Sequence, residues 1–97
     1  MMNMFLGSSA EIELEESKDY YNAERPGLGE EFLNEVEAAF YFIQKNPEIW
    51  PLSKDKTRRC SLDRFPFRVV YRIQNNTIEI ISVAHFKRRP GYWKNRL

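Results

Sequence analysis

The spacing of hydrophobic positions changes once along this chain, from a helical period to the two-residue alternation of strands, and the change divides it into two unlike parts. Ala10, Leu14, Ser17 and Tyr21 recur at helical spacing as a narrow stripe, and Glu11, Glu13, Glu15, Glu16 and Asp19 between them are expected largely to face water. Ser8 with Glu11 three residues on has the form of a capping box. The pattern predicts a helix from Ser9 until Pro26 forbids it, because the proline ring drives the residue before it out of helical backbone. Pro26-Gly27-Leu28-Gly29 is a turn short enough that the next helix must return antiparallel. In that helix Leu28, Phe32, Val36, Ala39, Phe40 and Ile43 share one face, the clearest amphipathic pattern in the chain. Glu30 and Glu31 in its first turn and Lys45 in its last complement the helix dipole, and Asn46-Pro47 stops it.

Beyond Pro47 the composition from Glu48 to Lys56 is that of a loop, with Trp50-Pro51 pinning the crossing from helices to sheet. Arg58 to Leu62 reads as a strand, Asp63-Arg64 as a turn, and Phe67 to Ile73 as a second strand. Its alternation puts Phe67, Val69, Tyr71 and Ile73 on one face and Arg68, Val70 and Arg72 on the other. Gln74-Asn75-Asn76 closes a hairpin into a strand that is apolar on both faces from Ile78 to Val83, the mark of a central position. Asn3 to Leu6, ended by Gly7, is a short candidate for a first strand. The expected fold class is α+β: an N-terminal helical hairpin packed on one face of a small, mainly antiparallel β-sheet.

At 97 residues, without a Gly/Ser/Pro-rich tract, the chain is expected to form one domain spanning 1–97. The single cysteine, Cys60, cannot form an internal disulfide, and one histidine gives no zinc set, so a reduced cytoplasmic setting without metal or cofactor is expected. No apolar run approaches the length of a membrane span, and no signal peptide is evident. The net charge of +1 hides a segregation. Residues 1–50 hold eleven acids against three bases, and residues 51–97 hold three acids against twelve bases. Acidic helices on one face of a basic sheet would leave the other face and the tail to attract a polyanion.

The chemistry gathers after the last strand, where His85 is followed by Lys87, Arg88 and Arg89 and by the rings of Tyr92 and Trp93. Cations and aromatic rings around a histidine are equipped to meet a phosphate backbone and a base. Arg58, Arg59 and Arg64 are further binding candidates. Each also has a plainer reading: His85 as a hydrogen-bonded structural residue, the three arginines as charges that protect a sheet edge, Tyr92 and Trp93 as packing for the tail. Cys60 reads as buried packing, against a minor alternative as a nucleophile paired with His85.

Taken in order, several segments resemble toxins of the RelE/ParE superfamily of bacterial toxin–antitoxin systems. They are Ala10, Leu14 and Tyr20-Tyr21; Pro26-Gly27-Leu28-Gly29-Glu30-Glu31-Phe32; Asn46-Pro47; Arg58-Arg59; Phe65 to Tyr71; and Val83-Ala84-His85 followed by Arg88-Arg89-Pro90 and Trp93. The resemblance covers nearly the whole chain. It implies the fold derived above, growth inhibition, and a cognate antitoxin protein that wraps the toxin. It also implies one of two targets, messenger RNA cleaved on the ribosome or DNA gyrase. For the nuclease alternative it offers Arg68, His85 and Lys87 as catalytic candidates: Arg68 for phosphate, His85 for proton transfer, and Lys87 where such members often carry arginine. Trp93 stands where some carry a catalytic tyrosine, and tryptophan cannot exchange a proton. A third possibility is a binding module of this fold that engages an antitoxin-like partner without toxicity.

Overall fold

The computed structural model describes residues 1–97. The elements are β1 (Asn3–Leu6), α1 (Ser8–Glu24), α2 (Leu28–Lys45), β2 (Arg58–Ser61), β3 (Phe67–Gln74), β4 (Thr77–His85) and a closing turn of 3-10 helix, Lys94–Arg96. The sheet order is β1-β4-β3-β2. The expected α+β architecture is present, with β2, β3 and β4 antiparallel and β4 in the interior of the sheet. The hydrophobic pattern left open the direction of β1, which runs parallel to β4 with Asn3 opposite Thr77 and Leu6 opposite Ile80.

The start of α1 corrects one expectation. No capping box forms: Ser8 is already helical, Gly7 occupies the cap position without a side-chain hydrogen bond, and its carbonyl accepts the Glu11 N–H at 2.9 Å. The cap position sits where β1 still touches β4. Gly7 donates its N–H to the Ile80 carbonyl at 3.0 Å, and a Cβ there would meet that same oxygen at 2.9 Å. Close backbone approach, more than capping chemistry, selects the residue at this corner.

The two helices cover one face of the sheet. Phe32, Val36 and Ile43 of α2 and Ala10 and Leu14 of α1 are buried against Val69, Tyr71, Ile78, Ile80 and Val83. The rings of Tyr21, Phe32, Phe65 and Phe67 pack together with most centroids 4.8–5.3 Å apart. Burial of side chains this size contributes roughly 1.5–3 kcal/mol apiece. The loop from α2 to β2 is fastened from the sheet side: the Tyr71 hydroxyl donates to the Pro47 carbonyl at 2.6 Å, and Arg58 donates to the carbonyls of Trp50 and Glu48 at 2.7 and 3.1 Å. Burial works against the charge of Asp55, yet hydrogen bonds from the Ser53 and Thr57 side chains and the Thr57 N–H, with Arg59 nearby, hold its carboxyl well below the usual range.

Just after the turn between the helices, Gly29 brings α2 into close contact with α1. Gly29 donates its N–H to Asn22 Oδ1 at 2.8 Å, and an added Cβ would lie 2.3 Å from the Lys18 carbonyl oxygen. Alanine favours a helix over glycine by about 1 kcal/mol, but here its methyl would push the hairpin apart. Gly29→Ala is therefore expected to destabilise the fold by about 1–3 kcal/mol, the usual scale of overpacking, measured as a fall in the urea midpoint at unchanged slope.

Candidate functional site

A single irregularity in the sheet decides which candidate residues can meet. Between Val70 and Tyr71 the register shifts, so that Val70 lies opposite Ser82, Tyr71 lies opposite Ile80, and Ile81 is left without a partner. The extra residue resets the alternation of β4. Ile78, Ile80 and Val83 join the core under the helices, whereas Ile81 and Ala84 join Val70 and Trp93 in a second cluster on the outer face.

The candidate catalytic residues are separated by this arrangement. His85 lies opposite Phe67 and packs on its ring at 5.0 Å, which places it on the helix side of the sheet. Arg68, opposite Ala84, leaves β3 on the outer side, with its guanidinium 4.7 Å above the Phe86 ring. The trio of Arg68, His85 and Lys87 expected from the resemblance does not converge on one point, because two of its members lie on opposite faces of a sheet. Nδ1 of His85 accepts the Lys87 N–H at 3.0 Å, so the neutral ring carries its proton on Nε2, and no carboxylate hydrogen-bonds to it. The Lys87 side chain is exposed and forms no ion pair.

The binding candidates divide into engaged and free groups. Arg58 holds the loop carbonyls already described. Arg64 reaches α2, bonding Glu31 at 2.8 Å. Arg59 lies 3.8 Å from Asp55 and 5.0 Å from the Trp93 ring centre. These three therefore do not form one basic patch. Trp93, expected as a ring for stacking on a base, is 2% exposed and caps Val70, Ile81 and Ala84. Its apolar surface is used within the protein, in line with the plainer reading of that residue. Arg68, Lys87, Arg88 and Arg89 make no ion pair. They remain as cations available to a partner, joined by the exposed ring of Phe86.

Tyr92 belongs to a cluster that the helical pattern did not single out. Its hydroxyl donates to Glu13 and lies 2.9 Å from the Ser82 hydroxyl, and the guanidinium groups of Arg88 and Arg96 lie 4.0 and 5.1 Å from its ring centre. Glu13, expected at the water face, turns inward. Its carboxylate accepts two hydrogen bonds from Arg96 at 3.0 and 3.1 Å, one from Ser82 at 2.9 Å and one from the Val83 N–H at 3.1 Å. Burial opposes its charge, but the bonds from Arg96, Tyr92 and Ser82 outweigh burial and hold the carboxyl below its ordinary value. The same contact raises Arg96, and burial with Glu13 raises the Tyr92 phenol. A signal for Glu13 did exist in the sequence: it lies three residues after Ala10 and four before Ser17, on the flank of the buried stripe. Beside this cluster a cleft of about 310 Å³ opens between α1 and the end of β4, with His85, Arg88 and Tyr92 on one side and Glu16 and Tyr20 on the other.

Two measurements follow from the titrating groups. The folded pKa of Glu13 is depressed from 4.5, so its contribution to stability is complete above about that pH and is lost as pH falls through the folded value. Glu13→Gln should remove this part of the acid-induced fall in the urea midpoint, leaving the part due to Asp55. Cys60 is buried, and burial pushes its thiol up to about 11. Its burial fits the packing reading, and the thiol should react with a disulfide reagent at pH 8 far more slowly in the folded protein than in the unfolded chain.

Comparison with known proteins agrees with this fold. A family model described as the ParE toxin of the type II toxin-antitoxin system, parDE, matches residues 6–90. A solved structure titled "Chromosomal ParDE TA system from P. aeruginosa" is similar with a TM-score of 0.78 at 20% identity, over 88% of this chain and 96% of that one. At that identity the likeness speaks for the fold. A search of curated proteins returns no match. With a family match spanning both helices and all of β2, β3 and β4, this chain belongs to the ParE toxins of type II toxin–antitoxin systems.

Proposed function

We propose that this toxin arrests growth in the cytoplasm by binding DNA gyrase through its free cations, without cleaving RNA, and that its cognate antitoxin blocks the same surface. The observation that carries the reading is the placement of Arg68 and His85 on opposite faces of the sheet. Cleavage by a 2′-hydroxyl needs a proton acceptor, cations on the developing charge and a proton donor for the leaving oxygen, all within hydrogen-bond reach of one phosphate. Here the phosphate candidate and the proton-transfer candidate are divided by the backbone of β3 and β4. Trp93 supplies no second proton donor and is buried.

A binding toxin asks less of its residues. Arg68, Lys87, Arg88 and Arg89 need only present charge and hydrogen-bond donors to acidic groups of a partner. An antitoxin segment rich in acids, disordered until bound, would meet the same cations and exclude the target.

The test is induction in growing cells. Messenger RNA should stay intact during full arrest, purified protein should trap cleaved DNA on gyrase, and His85→Gln should change neither result. Ribosome-dependent cuts that vanish in His85→Gln by a factor on the order of a hundred, the scale of general acid–base catalysis, would restore the nuclease. Arg68→Ala and K87A/R88A/R89A should each abolish arrest with melting temperatures close to the parent, as expected of cations that make no ion pair and lie at the surface or partly exposed. Absence of arrest by the parent protein would identify the non-toxic binding module instead.

A further inference from the structure

We infer that Glu13 is the positioning residue that sets the closing segment Phe86–Leu97, and with it Lys87, Arg88 and Arg89, in the place from which they meet the target. The inference rests on the reading that those cations are the contact surface. Between Phe86 and Leu97 the one regular element is the turn Lys94–Arg96, too short to hold itself in place. The segment carries five cations and no acid, so its own charges drive it outward. Its ends are tied by the Phe86 N–H, donated to the Pro66 carbonyl at 2.8 Å, and by Arg72, which donates to the Leu97 carbonyl at 3.4 Å, and further attachments oppose the repulsion between them. Trp93 packs on the outer face of the sheet, and Arg96 and Tyr92 hydrogen-bond to Glu13.

Glu13 is suited to this task because it is anchored on both sides. It stands in the second turn of α1, and the same carboxylate accepts the Val83 N–H and the Ser82 hydroxyl of β4. Arg96 in turn donates to the Ile81 carbonyl at 3.0 Å. A helix, a strand and the closing segment thus meet on one carboxylate. Arg88 stacks on Tyr92, the residue this carboxylate fixes, so the position of at least one contact cation follows directly from Glu13.

Limited trypsin digestion tests the placement and induction of the full chain tests its consequence. In Glu13→Ala, cleavage after Lys87 and Arg88 should be about tenfold faster than in the parent, the mark of a local opening, while circular dichroism of the helices is unchanged and growth arrest is lost. Glu13→Gln keeps acceptors for Val83 and Ser82 and should recover part of both. Should Glu13→Ala fail to fold, Y92F/R96Q leaves the bonds from Glu13 to β4 intact and should show the same release and the same loss of arrest. Unchanged protection of the segment in whichever variant folds, or arrest that persists after the segment is released, overturns the inference. Failure of the underlying reading looks different: K87A/R88A/R89A would then arrest growth with Glu13 intact.

Discussion

The structure depends on how the backbone of β4 is satisfied after β1 ends. β1 accompanies β4 only as far as Ile80, and β4 continues to His85. A strand without a neighbour presents unpaired N–H and C=O groups, which are costly if buried and adhesive if exposed. Here the missing neighbour is replaced by side chains. Glu13 takes the Val83 N–H and Arg96 takes the Ile81 carbonyl, and the two close the edge by pairing with each other. One substitute for a short strand thereby ties the helical half of the chain to its last residues.

The same strand explains why the two faces differ. Alternation from Ile78 and Ile80 already points Ile81 outward, and the bulge there resets the residues that follow, so that Val83 turns under the helices and Ala84 joins Ile81 on the outer face. Ile81, with Val70 and Ala84, is an apolar surface on the face that lacks helices, and Trp93 covers it. The closing segment is thus needed on both counts, as a cover for the outer face and as the other half of the edge closure. Its cations are carried along by parts of the segment that have structural duties.

Much of this was legible in the residues. The stripe of α2 from Leu28 to Ile43, the breaks at Pro26 and Pro47, and the alternation from Phe67 to Ile73 follow from local periodicity, and each element lies where that periodicity put it to within a few residues. The helix start was less legible because Gly7 is chosen by the nearness of Ile80, a residue remote in sequence. The candidate site was read only in part. Lys87, Arg88 and Arg89 make no ion pair and the face of Arg68 follows from the alternation of β3, but nothing local announces a bulge, and without it His85 could not be assigned to a face. Arg58 and Arg64 illustrate the same limit, since a cation that binds its own loop or helix has the same letter as one that waits for a partner.

The parallel pairing of β1 with β4 also bears on synthesis. The helical hairpin uses near neighbours and can form while the rest of the chain is still being made, but β1 must wait for a partner that begins at Thr77. Until β4 leaves the ribosome, the interior of the sheet is missing and the apolar face of α2 has little to cover it. The chain therefore cannot assemble its cationic surface ahead of its own completion. A chain that stops before β4 lacks an interior strand of the sheet and the whole segment that carries Lys87, Arg88 and Arg89.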